Sequence, residues 1–220
     1  MRTIISIAFL MASILVNGQL RGSGNTVQKT FNYTNFDKIS FENLDGILEV
    51  EIGKSFSISV TIDDNLENLL QLDENTSEHL LTVRFKNNSN NKKYIEDTHF
   101  KIRITMPEAS VIKNTGNSNL HIKNVIGRYF RLENNGNGDV VVNGKTDFLE
   151  VINYGNGNTD ASRLVTQKAE VKNTGNGDST VNASEILSAQ LIGNGNITNK
   201  GKAKFDSQST KKGNGDFITQ

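Results

Sequence analysis

Apolar and polar residues alternate along most of this chain, at first irregularly and then on a fixed beat. Ile39 and Phe41, then Leu48, Val50 and Ile52, lie on either side of the turn Asn43-Leu44-Asp45-Gly46. Phe56, Ile58, Val60 and Ile62 share one face of a strand, because alternate side chains on a strand point the same way. Leu80 to Phe85 and Phe100 to Ile104 repeat the pattern. Asp63-Asp64-Asn65 ahead of Leu66, Leu69 and Leu70 reads as the cap of a short helix at i, i+3, i+4 spacing. The polar run Asn87 to Lys93 reads as a loop over an exposed tip, and Pro107 closes this half.

From Val111 onward the alternation comes in units. Phe130 and Leu132, Leu149 and Val151, and Ala169 and Val171 precede a Gly-Asn turn; Leu120 and Ile122, Val140 and Val142, and Ile197 follow one. The turn returns six times. Its first glycines are Gly116, Gly136, Gly155, Gly175, Gly193 and Gly213, at steps of 20, 19, 20, 18 and 20 residues. A fixed period of this size with short strands in each unit signals stacked coils. The expected fold is therefore all-β: a right-handed parallel β-helix, or β-solenoid, over residues 111–220, preceded by a β-rich section over 19–110. Coils would stack about 4.8 Å apart through parallel pairing. Arg21 to Val27 reads as a worn copy of the same turn. Thr159, Ser179, Ser207, Ser209 and Thr219 fall at or near inward positions, which predicts a thinner core in the last coils.

Within the turns, Asn117, Asn137, Asn156, Asn176, Asn194 and Asn214 form an unbroken column. Glycine supplies positive φ at a tight turn, and Asn tolerates the left-handed region better than other residues. Stacked in register, such asparagines can hydrogen-bond from coil to coil, so a structural ladder is the first reading. Calcium is the rival, because Asp139, Asp178 and Asp216 follow Gly-Asn-Gly. Calcium-binding Gly-rich repeats have a nine-residue period, whereas Asn119, Asn158 and Asn196 here alternate with the acids, and hard cations need charged oxygens. A phosphate-cradling loop would need a following helix and a Lys-Ser or Lys-Thr pair. No metal and no cofactor is expected.

Met1-Arg2, the apolar run Ile4 to Val16 and the small-residue end Val16-Asn17-Gly18 read as a signal peptide over residues 1–18. The run is shorter than the roughly 20 residues of a membrane span. The mature chain would then be extracytoplasmic: periplasmic, on the cell surface or released. There is no cysteine, which excludes disulfides and cysteine-held metals. Lys plus Arg equals Asp plus Glu at 24 each, so net charge draws the chain neither to nucleic acid nor to an anionic membrane. No membrane insertion is expected after signal removal.

Catalysis has thin support. His79, His99 and His121 read as surface residues. Glu133, Glu150 and Glu170 fall where they could align on one outer face, as acids do in sugar-cleaving β-helices, but a solvated face explains them equally well. The chain is read as non-enzymatic, with a carbohydrate-active enzyme as the alternative.

A Gly-Ser-Gly-Asn start, Phe36-Asp-Lys-Ile-Ser40, Asp45-Gly-Ile-Leu-Glu-Val-Glu-Ile52, Asp63-Asp-Asn-Leu66 and the Gly-Asn-Gly-Asp coils occur in an order that resembles one family. It is the putative auto-transporter adhesin, head GIN domain family of secreted Bacteroidota-type proteins. Leu48 stands where the eponymous Gly-Ile-Asn tripeptide has Asn. The resemblance implies a β-solenoid, extracytoplasmic placement and an adhesive or structural role, with no catalytic residues. Expected partners are a surface glycan or protein, and a second copy through the C-terminal coil.

Overall fold

The computed structural model describes residues 19–220; the signal-peptide reading of 1–18 lies outside the described residues. The strands of the first part are β1 (Leu20–Arg21), β2 (Thr26–Phe31), β3 (Lys38–Leu44), β4 (Ile47–Ile52), β5 (Ser57–Asp63), β6 (Leu70–Asn75), β7 (Leu80–Phe85), β8 (Ile95–Glu96) and β9 (Lys101–Met106). β10 (Val111–Gly116) opens the repeats. Four long strands follow: β11 (Asn119–Gly136), β12 (Val140–Gly155), β13 (Thr159–Gly175) and β14 (Ser179–Gly193). Short strands β15 (Ile197–Asn199), β16 (Thr210–Gly213) and β17 (Phe217–Thr219) end the chain.

Each long strand bends once and serves two walls. The first part of β11 pairs with β4 through Asn119 to Lys123, while its second part pairs with β10 through Arg131 to Gly136. Face A is thus built from β3, β10, the second parts of β11 to β14 and β16; face B holds β4, the first parts, β15 and β17. Between the walls run columns of inward side chains. Ile112, Leu132, Val151, Val171 and Ala189 are in register on face A, all of them buried. The result is a parallel β-solenoid of about five turns with coils of about 20 residues.

Opposite them on face B run Leu48, Leu120, Val140, Thr159, Ser179 and Ile197. Thr159 and Ser179 do take inward, buried places, and Ala161, Ala183 and Ala203 fill the core near them, so the later coils enclose less apolar volume. Ser207 and Thr219 do not follow the expectation: both are exposed, and Ser209 is half-buried.

At the N-terminal end the stacking continues in parallel through β3 to β7 and β4 to β9, then changes direction. β6 pairs antiparallel to β7, and β5 pairs antiparallel to β9 and β2. These antiparallel strands close that end of the stack, which blunts an otherwise open parallel edge.

Three local expectations change. The helix after Asp63 is a 3₁₀ turn over Asp64–Leu69, and no side chain caps it, because the Asp63 carboxylate is turned elsewhere. Arg21 to Val27 is not a coil turn; it links β1 to β2, and its Ser23 amide donates to Asn65 Oδ1 at 3.1 Å. The loop at 87–93 is anchored at its base, where buried Asn88 donates to the carbonyl of Asn43 and accepts from the amide of Lys93.

Candidate functional site

The Gly-Asn-Gly turns stack along one edge of the solenoid, and three polar columns run through them. The outermost is the expected one. Asn137 donates to Asn117 at 2.9 Å, Asn156 to Asn137 at 2.8 Å and Asn176 to Asn156 at 2.7 Å. Asn194 donates to Asn176 at 2.7 Å and Asn214 to Asn194 at 2.9 Å. The glycines around them are set by contact as well as by conformation. Gly155 has φ +127°, and a Cβ there would lie 2.3 Å from the Gly136 carbonyl oxygen. Gly116, Gly136, Gly175, Gly193 and Gly213 repeat the positive φ at their own turns.

The second column lies deeper, and the sequence reading missed its role. Asn114, Asn134, Asn153 and Asn173 are each 1% exposed. Each Nδ2 donates across its own turn, to the carbonyls of Ser118, Gly138, Gly157 and Gly177 at 2.8–2.9 Å. The first three also donate to the Oδ1 of the next Asn, at 3.1–3.2 Å. The signal was present: an Asn returns at the position where alternation demands an inward apolar residue. The fifth copy has Leu191 there, and the column stops.

The third column alternates Asn119, Asp139, Asn158, Asp178, Asn196 and Asp216. The Oδ1 of each of the first five accepts the backbone N–H of the next member, at 2.6–2.9 Å. Of the carboxylates that suggested calcium, Asp139 and Asp178 are thus engaged by backbone donors along the stack, and Asp216 by the Lys211 ammonium at 2.7 Å. Among the described residues no three His, Cys, Asp or Glu side chains converge as a metal site would require.

Face A carries the main charged cluster of the coils. The Arg131 guanidinium reaches Glu133 at 2.5 Å and Glu150 at 3.6 Å, and Lys113 meets Glu133 at 3.2 Å. The Tyr129 hydroxyl donates to Glu150 at 2.7 Å, and its ring lies 5.8 Å from that of Phe148. Burial pushes the Tyr129 pKa up, and the Glu150 carboxylate raises it further. Burial alone would lower that of Arg131, but Glu133 and Glu150 outweigh it and raise it. The three glutamates share this face without forming one line. Glu150 and Glu170 are in register, while Glu133 sits in the next column opposite Ile152, and Glu170 pairs with Lys172 at 3.0 Å.

The N-terminal cap holds a different polar centre. Asp63 is fully buried and accepts the backbone N–H of His99 at 2.7 Å and of Gly24 at 2.9 Å, with the His99 ring nitrogen at 3.0 Å. Burial would raise its pKa, but these donors hold it below the usual carboxylate value. His79 and His121 are exposed. An open cleft of about 530 Å³ beside His79 is lined by Asn35, Asp37, Lys38, Phe56 and Glu108. No helix among the described residues is long and apolar enough to cross a membrane.

Residues 35–203 match the model of the family described as putative auto-transporter adhesin, head GIN domain. A solved structure of a putative adhesin from Bacteroides fragilis is similar at 22% identity and a TM-score of 0.64, over 91% of this chain and 100% of that one. One described as a putative lipid binding protein from Parabacteroides distasonis gives 20% identity and a TM-score of 0.56, over 92% and 100%. A putative adhesin from Parabacteroides merdae gives 20% and 0.50, over 92% and 99%. At these identities the likeness establishes the shared fold. No curated protein sequence matches.

Proposed function

Because this chain belongs to the putative auto-transporter adhesin, head GIN domain family, we propose that it is a non-enzymatic, adhesin-like binding module that works outside the cytoplasm. The observation that carries this reading is the outer surface of face A. There Tyr129, Arg131, Glu133, Glu150 and Lys113 are held in one hydrogen-bonded array on a sheet locked by parallel pairing. Preorganised polar and aromatic groups on a rigid wall suit a glycan or a protein surface, because little ordering is needed on contact. The extracytoplasmic placement is supported by the leader-like residues 1–18 and by the family.

The arrangement of acids favours binding over hydrolysis. Glycosidases set two carboxyls on either side of the scissile bond. Here Glu133 and Glu150 share Arg131, and Glu170 is paired with Lys172, all on a wall rather than across a groove. Self-association is proposed on the same footing. In the described chain β16 and β17 pair on one side only, and a coil from a second copy would pair with the other.

The test is binding of residues 19–220 to arrayed glycans and envelope or host surface proteins. A saturable partner lost with Arg131→Glu is the expected result. Retention of that partner by Arg131→Glu would remove face A from the proposal.

A further inference from the structure

The net charge of this chain is zero, but the charges are segregated across the solenoid. Each coil has two bends: the Gly-Asn-Gly turn, and an opposite corner where face B passes into face A. The corner side collects cations. Lys123 and Arg128 lie on it in β11, Lys145 in β12, and Arg163 and Lys168 in β13. Lys200, Lys202 and Lys204 continue it between β15 and β16. Against these eight stand Asp147, Glu185 and Asp206, with Glu108 at the corner before β10.

None of the eight has an ion-pair partner among the described residues. By contrast Lys113, Arg131 and Lys172 on face A, and Lys211 beside the last turn, are all paired. Interleaved with the corner cations are apolar side chains that stand out into solvent. Ile126 is 67% exposed, Val165 47% and Ile186 45%. The register makes the interleaving regular: Ile126, Lys145 and Val165 occupy one column, and Tyr129, Phe148, Lys168 and Ile186 the next. An edge of protruding aliphatics among uncompensated cations is not what a solvated surface needs.

We propose that this corner edge docks the protein on an anionic phospholipid surface. Ile126, Val165 and Ile186 would enter the boundary between headgroups and acyl chains. Lys145, Arg163 and Lys168 would meet the phosphates. Both contributions are those of interfacial binding: buried apolar area, and attraction of each cation to the negative surface. The occupant follows from the chemistry of the crest. A sugar polymer is gripped by hydrogen bonds and aromatic faces; Tyr129 and Phe148 border this edge, but the apolar side chains that stand out furthest, Ile126, Val165 and Ile186, are aliphatic. Register shifts fall at this bend, between Ile122 and Val125 in β11, Val141 and Asn143 in β12, and Thr166 and Lys168 in β13. Yet Ile126–Lys145–Val165 and Phe148–Lys168–Ile186 stay aligned, so one plane can touch several coils. Net charge alone had pointed away from such a surface; the distribution reverses that expectation. Tyr129 belongs to both the edge and the face A array, but Lys113, Arg131, Glu133 and Glu150 lie further along the wall, so separate variants distinguish this inference from the adhesive reading.

The test is co-sedimentation of residues 19–220 with vesicles of phosphatidylglycerol in phosphatidylcholine, against phosphatidylcholine alone. Binding to the anionic vesicles only, weakening with salt, is expected. Lys145→Glu/Arg163→Glu/Lys168→Glu should lower it at least tenfold, and Ile126→Ser/Val165→Ser should lower it separately, with melting unchanged because all five side chains are exposed. The chain has no tryptophan, so Ile126→Trp adds a reporter whose emission should shift to the blue with anionic vesicles. Absence of binding to anionic vesicles, or binding unmoved by the charge reversals, overturns the proposal. So does binding to soluble polygalacturonate with none to vesicles, which would make the edge a polysaccharide site.

Discussion

Asn153 donates through Nδ2 to the carbonyl of Gly157, 2.9 Å away across the turn, and through the same amide to Asn173 in the next coil at 3.1 Å. One buried side chain therefore closes its own turn and joins it to its neighbour. Removing it leaves a turn carbonyl and the adjacent Asn short of a donor in a buried site. An unsatisfied buried polar group costs about 1–3 kcal/mol. Asn153→Ala should lower the melting temperature by several degrees. Asn156→Ala, in the solvent-exposed column, should lower it less. Equal effects in thermal denaturation would mean that burial does not set the worth of these ladders.

Gly157 separates close approach from backbone conformation. Its φ is not in the left-handed region, yet a Cβ would fall 2.1 Å from the carbonyl oxygen of Gly138. Gly157→Ala should therefore destabilise the stack, because the coil beneath cannot retreat without breaking the ladder. Gly24→Ala, at φ +86° with open space around it, tests the conformational cost alone. The melting temperature should fall for both, and further for Gly157→Ala.

Asp63 gives a pH dependence with a defined sign. Its folded pKa lies below the ordinary value, so its contribution is complete above about pH 3.9 and is lost as the pH falls through the folded value. Asp63→Asn keeps the volume but replaces an acceptor with a donor facing the His99 and Gly24 amides. The variant should be less stable at neutral pH, and its stability should vary less between pH 5 and pH 2 in urea titrations than that of the parent, as linkage requires.

Calcium should leave this protein unaffected. The carboxylates of Asp139 and Asp178 already accept backbone donors from Asn158 and Asn196. Melting curves in calcium and in chelator should superimpose. A rise with calcium would return these aspartates to the role of ligands.

The coil was legible in the sequence because one physical demand recurs: each turn needs glycine where backbones approach within contact distance, so Gly136, Gly155 and Gly175 mark the period. The exposed Asn117-to-Asn214 column could be read for the same reason. The buried Asn114, Asn134, Asn153 and Asn173 were in view, but alternation assigns such positions to apolar side chains. Only the stacked geometry brings the carbonyls that satisfy them. Asp63 was misassigned because local spacing resembles a helix cap, whereas its donors come from His99 and Gly24, distant in sequence. The face A array was partly visible as Glu133, Glu150 and Glu170. Pairing register decides that Arg131 stands between the first two, and register is not readable from one strand at a time.

Binding of a partner by the outer surface of face A can be tested in a single titration. Residues 19–220 are titrated against whichever arrayed glycan or surface protein they retain, alongside Arg131→Ala/Glu150→Ala and the corner variant Lys145→Glu/Arg163→Glu/Lys168→Glu. Saturable binding that persists in chelator, survives the corner changes and falls at least tenfold with the face A changes is the expected result. Binding that survives loss of Arg131 and Glu150, in a variant that melts like the parent, would contradict it.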